Sequence, residues 1–464
     1  MQSREKKIIK NSLIFTVGNL GSKFFSYFMV LVYTYYITSA ELGYYDVVLT
    51  TISLLQPIVL LSFDEGIYRW LIDAEERNVK KVISTCVKTV LCTTFLTVAI
   101  FSLINIKLNL QYALSVVFLF ATALIYQLAQ NAVRGLGSNK LYALSGVVNS
   151  FLLLFFEIIG IIVLNMGVEA LFISKVAANI LTLLFIYCKE PRLHGFLKEG
   201  IDKHISSEMT RYTIPLIPNS ISWWIVNSSD RYIILACLGA SFNGIYTVAN
   251  KFPTVITTIS GIIYFALQEA VIKEYKSPDR DRFYSTVFEK YYSFLFGLVL
   301  CGIPSTKVVI TLFTGSDYKI AWQYTSFLFI STVFSALSSF LGIGYQISRD
   351  TKKSAYTTIS AAVINILLNC LLVRFIGLHA ATLSTLLSYV ILFVIRIFHC
   401  RKYFTLKVKW NRIGVFLVTS LLFGMGSFIG GLVVNIILLV VGVLFLLIDN
   451  KQLLCEYIKK RMVK

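Results

Sequence analysis

Long apolar runs separated by short polar turns dominate the chain. Windows of about 20 apolar residues, the length that crosses a bilayer as a helix, fall near 11–37, 41–62, 83–104, 110–132, 143–165, 167–187, 212–238, 241–271, 285–313, 320–346, 354–376, 378–400, 411–429 and 431–449. This pattern predicts an all-α integral membrane fold with about fourteen transmembrane helices. Alternating segments of the kind a membrane strand requires do not occur, and unpaired backbone groups cannot face lipid, so a helical bundle is the spanning form left. The first run is too long for a signal-peptide core and lacks a small-residue cleavage site, so it is expected to remain as a membrane helix.

The longest polar connection covers 189–211, and six spans precede it and six follow in the same orientation. A weak repeat runs across it. The stretch from Thr38 to Val48 lies over that from Gly239 to Ala249, matching Gly43 to Gly244 and Tyr45 to Tyr246. Gly146-Val147-Val148-Asn149 lies over Ala362-Val363-Ile364-Asn365, each ahead of an aliphatic run and a short turn led by Gly167 or Gly377. A parallel repeat of this kind is a transporter arrangement with the substrate path between the halves. The expected organisation is a six-helix lobe over 1–190, a cytoplasmic connection over 191–211, a second six-helix lobe over 212–402, and two added helices with a basic tail over 403–464.

Composition agrees, with 56% hydrophobic and only 14% charged residues against roughly 25% charged in a soluble domain. A net charge of +19 would point a soluble protein toward nucleic acid, but here the basic residues are dispersed over loops and form no stacking platform, so no nucleic-acid partner is expected. They gather at one membrane side: Arg4 to Lys10, Arg77 to Lys81, Arg134 and Lys140, 189–211, Lys273 to Lys290, Arg349 to Lys353, Arg396 to Arg412, and Lys451 to Lys464. The other side holds little beyond Lys107, Lys307, Lys319 and Arg374. By the positive-inside rule both termini are cytoplasmic. The eight cysteines are scattered singly and fit neither a metal site nor a disulfide framework.

Polar residues inside the apolar runs carry the chemistry, because an ionised side chain there costs several kcal/mol and is usually functional. Asn219, Trp223, Asn227 and Asp230 recur at helical spacing on one expected face of the seventh span. Asn19, Lys23 and Ser26 form a polar face on the first, and Arg69, Lys175 and Lys251 supply further intramembrane positive charge. These cations are candidates for an anionic ligand. Structural alternatives stand beside them: Arg231 points about 100° from Asp230 on a regular helix and can pair with a neighbouring helix, Glu65 and Arg69 can form an i, i+4 pair, and Lys175 can neutralise Glu157. Asp230, Glu157 and Glu269 are candidate coupling sites for H⁺ or Na⁺. Pro57, Pro215, Pro218 and Pro253 are expected as kinks or bending points in the helices that line the path. No other cofactor or metal is expected, and no HExxH, GxSxG or GxxxxGK[ST] pattern supplies an enzyme's nucleophile, metal or phosphate loop. The chain is not expected to be an enzyme.

Ser229-Asp230-Arg231-Tyr232-Ile233-Ile234, followed by the stretch from Gly244 to Lys251 and preceded by Trp223, resembles the seventh and eighth helices of Wzx-type polysaccharide flippases. Asn11-Ser12, Gly18-Asn19-Leu20, the stretch from Glu41 to Asp46, and that from Gly377 to Thr382 are similar to the same family. His379 departs from it, standing where the family tends to have a small residue. The resemblance implies the fold shared with MATE exporters and the lipid II flippase, two six-helix lobes in a V, here with two extra C-terminal helices. It also implies alternating-access translocation of a polyprenyl-pyrophosphate-linked oligosaccharide across a bacterial plasma membrane, for capsule or O-antigen-type polysaccharide, with polymerase or assembly proteins as partners. The alternative is a MATE-like cation-coupled small-molecule exporter, although the intramembrane cations favour an anionic cargo. A glycan polymerase is disfavoured because the chain has no large external loop.

Overall fold

The computed structural model describes residues 27–72, 75–348 and 350–451. All regular structure among them is helical. Eleven helices are long and apolar enough to cross a membrane: Ser39–Val59, Asn78–Lys107, Ala113–Gly135, Asn139–Val163, Glu169–Lys189, Arg280–Phe313, Ser316–Ile347, Lys352–Ile376, His379–Cys400, Trp410–Ile429 and Leu432–Asp449. Most of the expected first span, 11–37, lies outside the described residues.

The expected spans 212–238 and 241–271 are not continuous. The first consists of helices Ile217–Ser228 and Asp230–Leu238, separated at Ser229. Asn227-Ser228-Ser229-Asp230 explains the break, since short polar side chains compete for backbone groups and favour helix ends over helix interiors. The second consists of Ala240–Lys251 and Pro253–Lys273. Pro253 has no N–H to return to Ala249 and so ends the preceding helix.

Other boundaries are also written locally. Thr38 and Glu41 form a capping box at the start of Ser39–Val59: the Thr38 amide and hydroxyl donate to Glu41 Oε2 at 3.0 and 2.8 Å, and the Glu41 amide donates to Thr38 Oγ1 at 3.4 Å. Gly167 and Gly377, the turn glycines matched in the repeat, both take positive φ, 60° and 56°, a conformation other residues adopt only with strain. Each stands two residues before a membrane helix, Glu169–Lys189 or His379–Cys400.

The described residues form two compact units. The first comprises the residues up to Ile37 with Tyr44–Trp224, and the second comprises Thr38–Gly43 with Ile225–Lys464. In the first unit the 189–211 segment is docked. Ser84 Oγ and Lys88 Nζ donate to the Glu199 carbonyl at 2.8 and 2.5 Å, and the Asp202 amide donates to Thr85 Oγ1 at 3.0 Å. Helix Lys203–Thr213, capped by Asp202 Oδ1 on the His204 and Ile205 amides at 2.9 and 3.1 Å, buries Met209 against Cys86 and Gly66.

The second unit is held by an aromatic core in which Phe288 stacks on Phe393 at 6.3 Å and Phe296 on Phe416 at 5.4 Å. In lipid the hydrophobic effect gives helices little reason to associate, so close packing at small residues carries more of the burden. Helix Leu432–Asp449 lies against Arg280–Phe313 through Gly442, where an added Cβ would come within 2.7 Å of the Leu300 carbonyl oxygen. Gly43 and Gly244, matched in the repeat, meet within this unit: an added Cβ on Gly43 would collide with the Ala240 carbonyl, and one on Gly244 with that of Ser39. Asn243 Nδ2 closes the crossing by donating to the Gly43 carbonyl at 2.9 Å.

Candidate functional site

The polar centre of the second unit starts from the break at Ser229. Because Asp230 opens a new helix, its carboxylate folds back onto its own backbone, and Oδ1 accepts the Arg231 amide at 3.1 Å. The same oxygen lies 3.6 Å from Arg231 Nη1. The 100° separation expected on an unbroken helix therefore does not apply, and Arg231 reaches Asp230 itself. Arg231 Nη1 also donates to the Asn227 carbonyl at 3.1 Å. The Tyr246 hydroxyl donates to Asp230 Oδ2. Both residues are buried, Asp230 at 4% exposure and Tyr246 at 1%.

Two further helices complete this centre. Tyr389 on His379–Cys400 donates to Asn227 Oδ1 at 2.9 Å, and Thr385 on the same helix donates to the Ala381 carbonyl at 2.8 Å. Asn365 on Thr351–Ile376 donates through Nδ2 to Thr385 Oγ1 at 3.3 Å. Its Oδ1, and both polar atoms of Asn369 one turn further on, are buried without a hydrogen-bond partner among the described residues. Orphaned buried amides are rare and mark a water, an ion or a functional strain. What the arrangement provides is a buried carboxylate held by a tyrosine hydroxyl and an arginine, with unpartnered amides on Thr351–Ile376.

The remaining candidates lie elsewhere. Asn19 and Lys23 are outside the described residues, as is the side chain of Glu269. Asn219, Trp223 and Asn227 are exposed while Asp230 is buried, so the expected single stripe stops at the Ser229 break. Lys251 is half-buried at the end of Ala240–Lys251. In the first unit, Arg69 and Glu65 are exposed on the short helix Phe63–Ile72. That helix is tied to Ala113–Gly135 by Gln127 Nε2 donating to Asp64 Oδ2 at 3.1 Å and by the Arg134 guanidinium 4.4 Å from the Tyr68 ring. Glu157 is buried and Lys175 half-buried on two helices that pack together.

The structure also shows two cations that sequence reasoning assigned to loops. Arg396, 2% exposed, joins three helices through neutral oxygens: Nη1 to the Ser338 carbonyl at 2.8 Å, Nε to Thr357 Oγ1 at 3.2 Å and Nη2 to Thr358 Oγ1 at 3.0 Å. Its place inside the apolar 378–400 run was the available signal. Lys307 donates to the Ser427 and Gly430 carbonyls at 2.5 and 2.7 Å and lies 3.8 Å from the Trp322 ring centre. It thereby caps the carbonyl end of Trp410–Ile429, where a positive charge is favoured.

Residues 8–272, more than half of the chain, match the polysaccharide biosynthesis protein family, and the chain belongs to it. It is 22% identical over 293 residues to the probable low-salt glycan biosynthesis flippase Agl15 of Haloferax volcanii, covering 61% of this chain and 60% of that protein. It is 23% identical over 204 residues to an uncharacterized membrane protein of Methanocaldococcus jannaschii, covering 43% of this chain and 47% of that one. The chain thus spans about half to three fifths of the length of these curated relatives. Its fold is similar to that of the lipid II flippase MurJ in an inward closed conformation, with TM-score 0.70, 13% identity, and coverage of 96% of this chain and 100% of that one. It is also similar to an inward-facing multidrug resistance MATE family transporter of the MOP superfamily, with TM-score 0.65, 15% identity, and coverage of 84% and 95%. The fold is thus a multi-pass helical one similar to those of the MATE family and MurJ.

Proposed function

We propose that this chain is a cation-coupled flippase that moves a polyprenyl-pyrophosphate-linked oligosaccharide across a bacterial plasma membrane by alternating access, in the assembly of a capsule or O-antigen-type polysaccharide. The observation that carries the reading is a buried carboxylate, Asp230, hydrogen-bonded by the buried Tyr246, in a protein of the polysaccharide biosynthesis family. Scaffolding alone explains Asp230 but leaves the amide atoms of Asn365 and Asn369 without a purpose. A coupling ion gives them one, and oxygen ligands that do not titrate favour Na⁺ over a bare proton. Lys23, Arg69, Lys175 and Lys251 are the proposed contacts for the diphosphate, with Asn19, Asn219, Trp223 and Asn227 for sugar. The name of the Haloferax volcanii relative and the family's own description support a glycan cargo over a cationic drug.

Deletion of the gene in its host tests the cargo. Lipid-linked oligosaccharide should accumulate with its sugars on the cytoplasmic side while surface glycan is lost, and the wild-type gene should reverse both. Unchanged surface glycan together with new sensitivity to cationic drugs would favour the exporter instead.

A further inference from the structure

At one end of the second unit, away from the Asp230 centre, lies a polar cavity of about 240 Å³. That is well above the roughly 10–15 Å³ that one water requires. It opens where helices Arg280–Phe313, Trp410–Ile429 and Leu432–Asp449 come together. Glu289 Oε1 accepts Lys409 Nζ at 2.8 Å and Arg412 Nη1 at 2.6 Å, and Arg412 Nη2 donates to Asp449 Oδ1. That network satisfies one side of the cavity, while the other holds polar atoms without partners among the described residues. Asp449 Oδ2 is a buried acceptor with no donor, and Ser293 Oγ, on a residue 3% exposed, has no partner either. Lys290 also lines the cavity, with no ion pair or hydrogen bond to its ammonium among the described residues.

The surroundings define what can arrive there. Leu432–Asp449 is an apolar membrane helix whose outer side is bare, with Val433, Ile437, Val440 and Leu444 all at least half exposed. The cavity stands at its polar end, beside Asn450, so lipid headgroups meet it at the bilayer boundary. The five charged side chains of the cluster, Lys290, Lys409, Arg412, Glu289 and Asp449, sum to +1. An anionic headgroup would answer Lys290 and Ser293 but leave the Asp449 oxygen without a donor. A headgroup with both a phosphate and a primary ammonium answers all three.

We infer that this cavity is a binding site for a phosphoethanolamine-type lipid headgroup, its phosphate held by Lys290 and Ser293 and its ammonium by Asp449 Oδ2. The site shares no lining residue with the Asp230 centre and is independent of the flippase reading. It would anchor the two added helices to a lipid that carries both charges.

The test uses the full chain purified in mild detergent and returned to nanodiscs of phosphatidylethanolamine, phosphatidylcholine or phosphatidylglycerol, with retained lipid read by native mass spectrometry and stability by thermal unfolding. Phosphatidylethanolamine should be retained at one per chain and raise the melting temperature above that in phosphatidylcholine, whose trimethylated nitrogen cannot donate to Asp449. Lys290→Gln and Ser293→Ala should each lower retention several-fold while leaving the melting temperature in phosphatidylcholine at the wild-type value. Asp449→Asn should abolish the preference for ethanolamine over choline. Equal retention of the two zwitterionic lipids, stronger retention of phosphatidylglycerol, or a cavity that holds only water would each overturn the assignment.

Discussion

Tyr246 donates its hydroxyl hydrogen to the carboxylate of Asp230, sixteen residues earlier in the chain, with both side chains buried in the second unit. The bond spans two helices and exists because the Ser229 break turns Asp230 inward. Tyr246→Phe removes a donor from a buried anion that keeps Arg231 Nη1 3.6 Å away. The expected loss is about 1.5–3 kcal/mol, the range for a hydrogen bond to a charged group, read as a lower unfolding temperature of the purified protein.

Asp230→Asn separates a scaffold from an ion site. Either role predicts lower stability, about 1.5–3 kcal/mol for weakening hydrogen bonds to a buried charged group. Only the ion site predicts that Na⁺, titrated against choline at constant ionic strength, raises the melting temperature of the wild type but not of Asp230→Asn or Asn369→Leu. Equal Na⁺ responses in all three proteins would leave Asp230 a scaffold residue.

The crossing at Gly43 and Gly244 has no room for a methyl group. Gly244→Ala is expected to cost at least about 3 kcal/mol through overpacking against backbone and to lower the yield of folded protein. Gly146→Ala, where nothing lies within 4 Å, should be neutral or stabilising by up to about 1 kcal/mol. Size-exclusion profiles of the two variants make the comparison.

Much of this was legible in the sequence, for identifiable reasons. Apolar run length marks eleven membrane helices among the described residues, and the glycine-led turns at Gly167 and Gly377 marked repeat-equivalent corners because positive φ selects glycine. Pairing was less legible. The reach of Arg231 to Asp230 depends on a one-residue interruption that hydrophobic periodicity does not register. Arg396 was hidden for another reason, since its oxygens come from Ser338, Thr357 and Thr358 on two other helices, and no local motif announces a cation satisfied by neutral groups.

The 189–211 segment should respond to acid. The Arg192 side chain, donating from Nε at 2.7 Å, holds the Glu190 carboxyl below its ordinary range, with help from Ser138. A folded pKa below the unfolded one means the contribution is complete above the ordinary value of 4.5 and is lost as pH falls through the lower, folded value. Limited proteolysis between Lys189 and Lys203 should therefore accelerate below that range in the wild type. Glu190→Gln should show the faster cleavage already at neutral pH.

Lys307→Met removes the donor to the Ser427 and Gly430 carbonyls. It should cost about 2 kcal/mol, within the range for leaving buried carbonyls unsatisfied. Thermal unfolding of the variant measures it.

Cation-coupled movement of a lipid-linked glycan can be followed in a purified system. The direct measurement is translocation by the purified protein in liposomes carrying a fluorescent polyprenyl-pyrophosphate oligosaccharide, with an impermeant glycosidase or quencher reporting the exposed leaflet. Movement of the labelled lipid should depend on the protein, accelerate under an imposed Na⁺ gradient and lose that acceleration in Asp230→Asn. Labelled lipid that stays in its original leaflet, in liposomes where the same protein expels a cationic dye, would contradict the flippase reading.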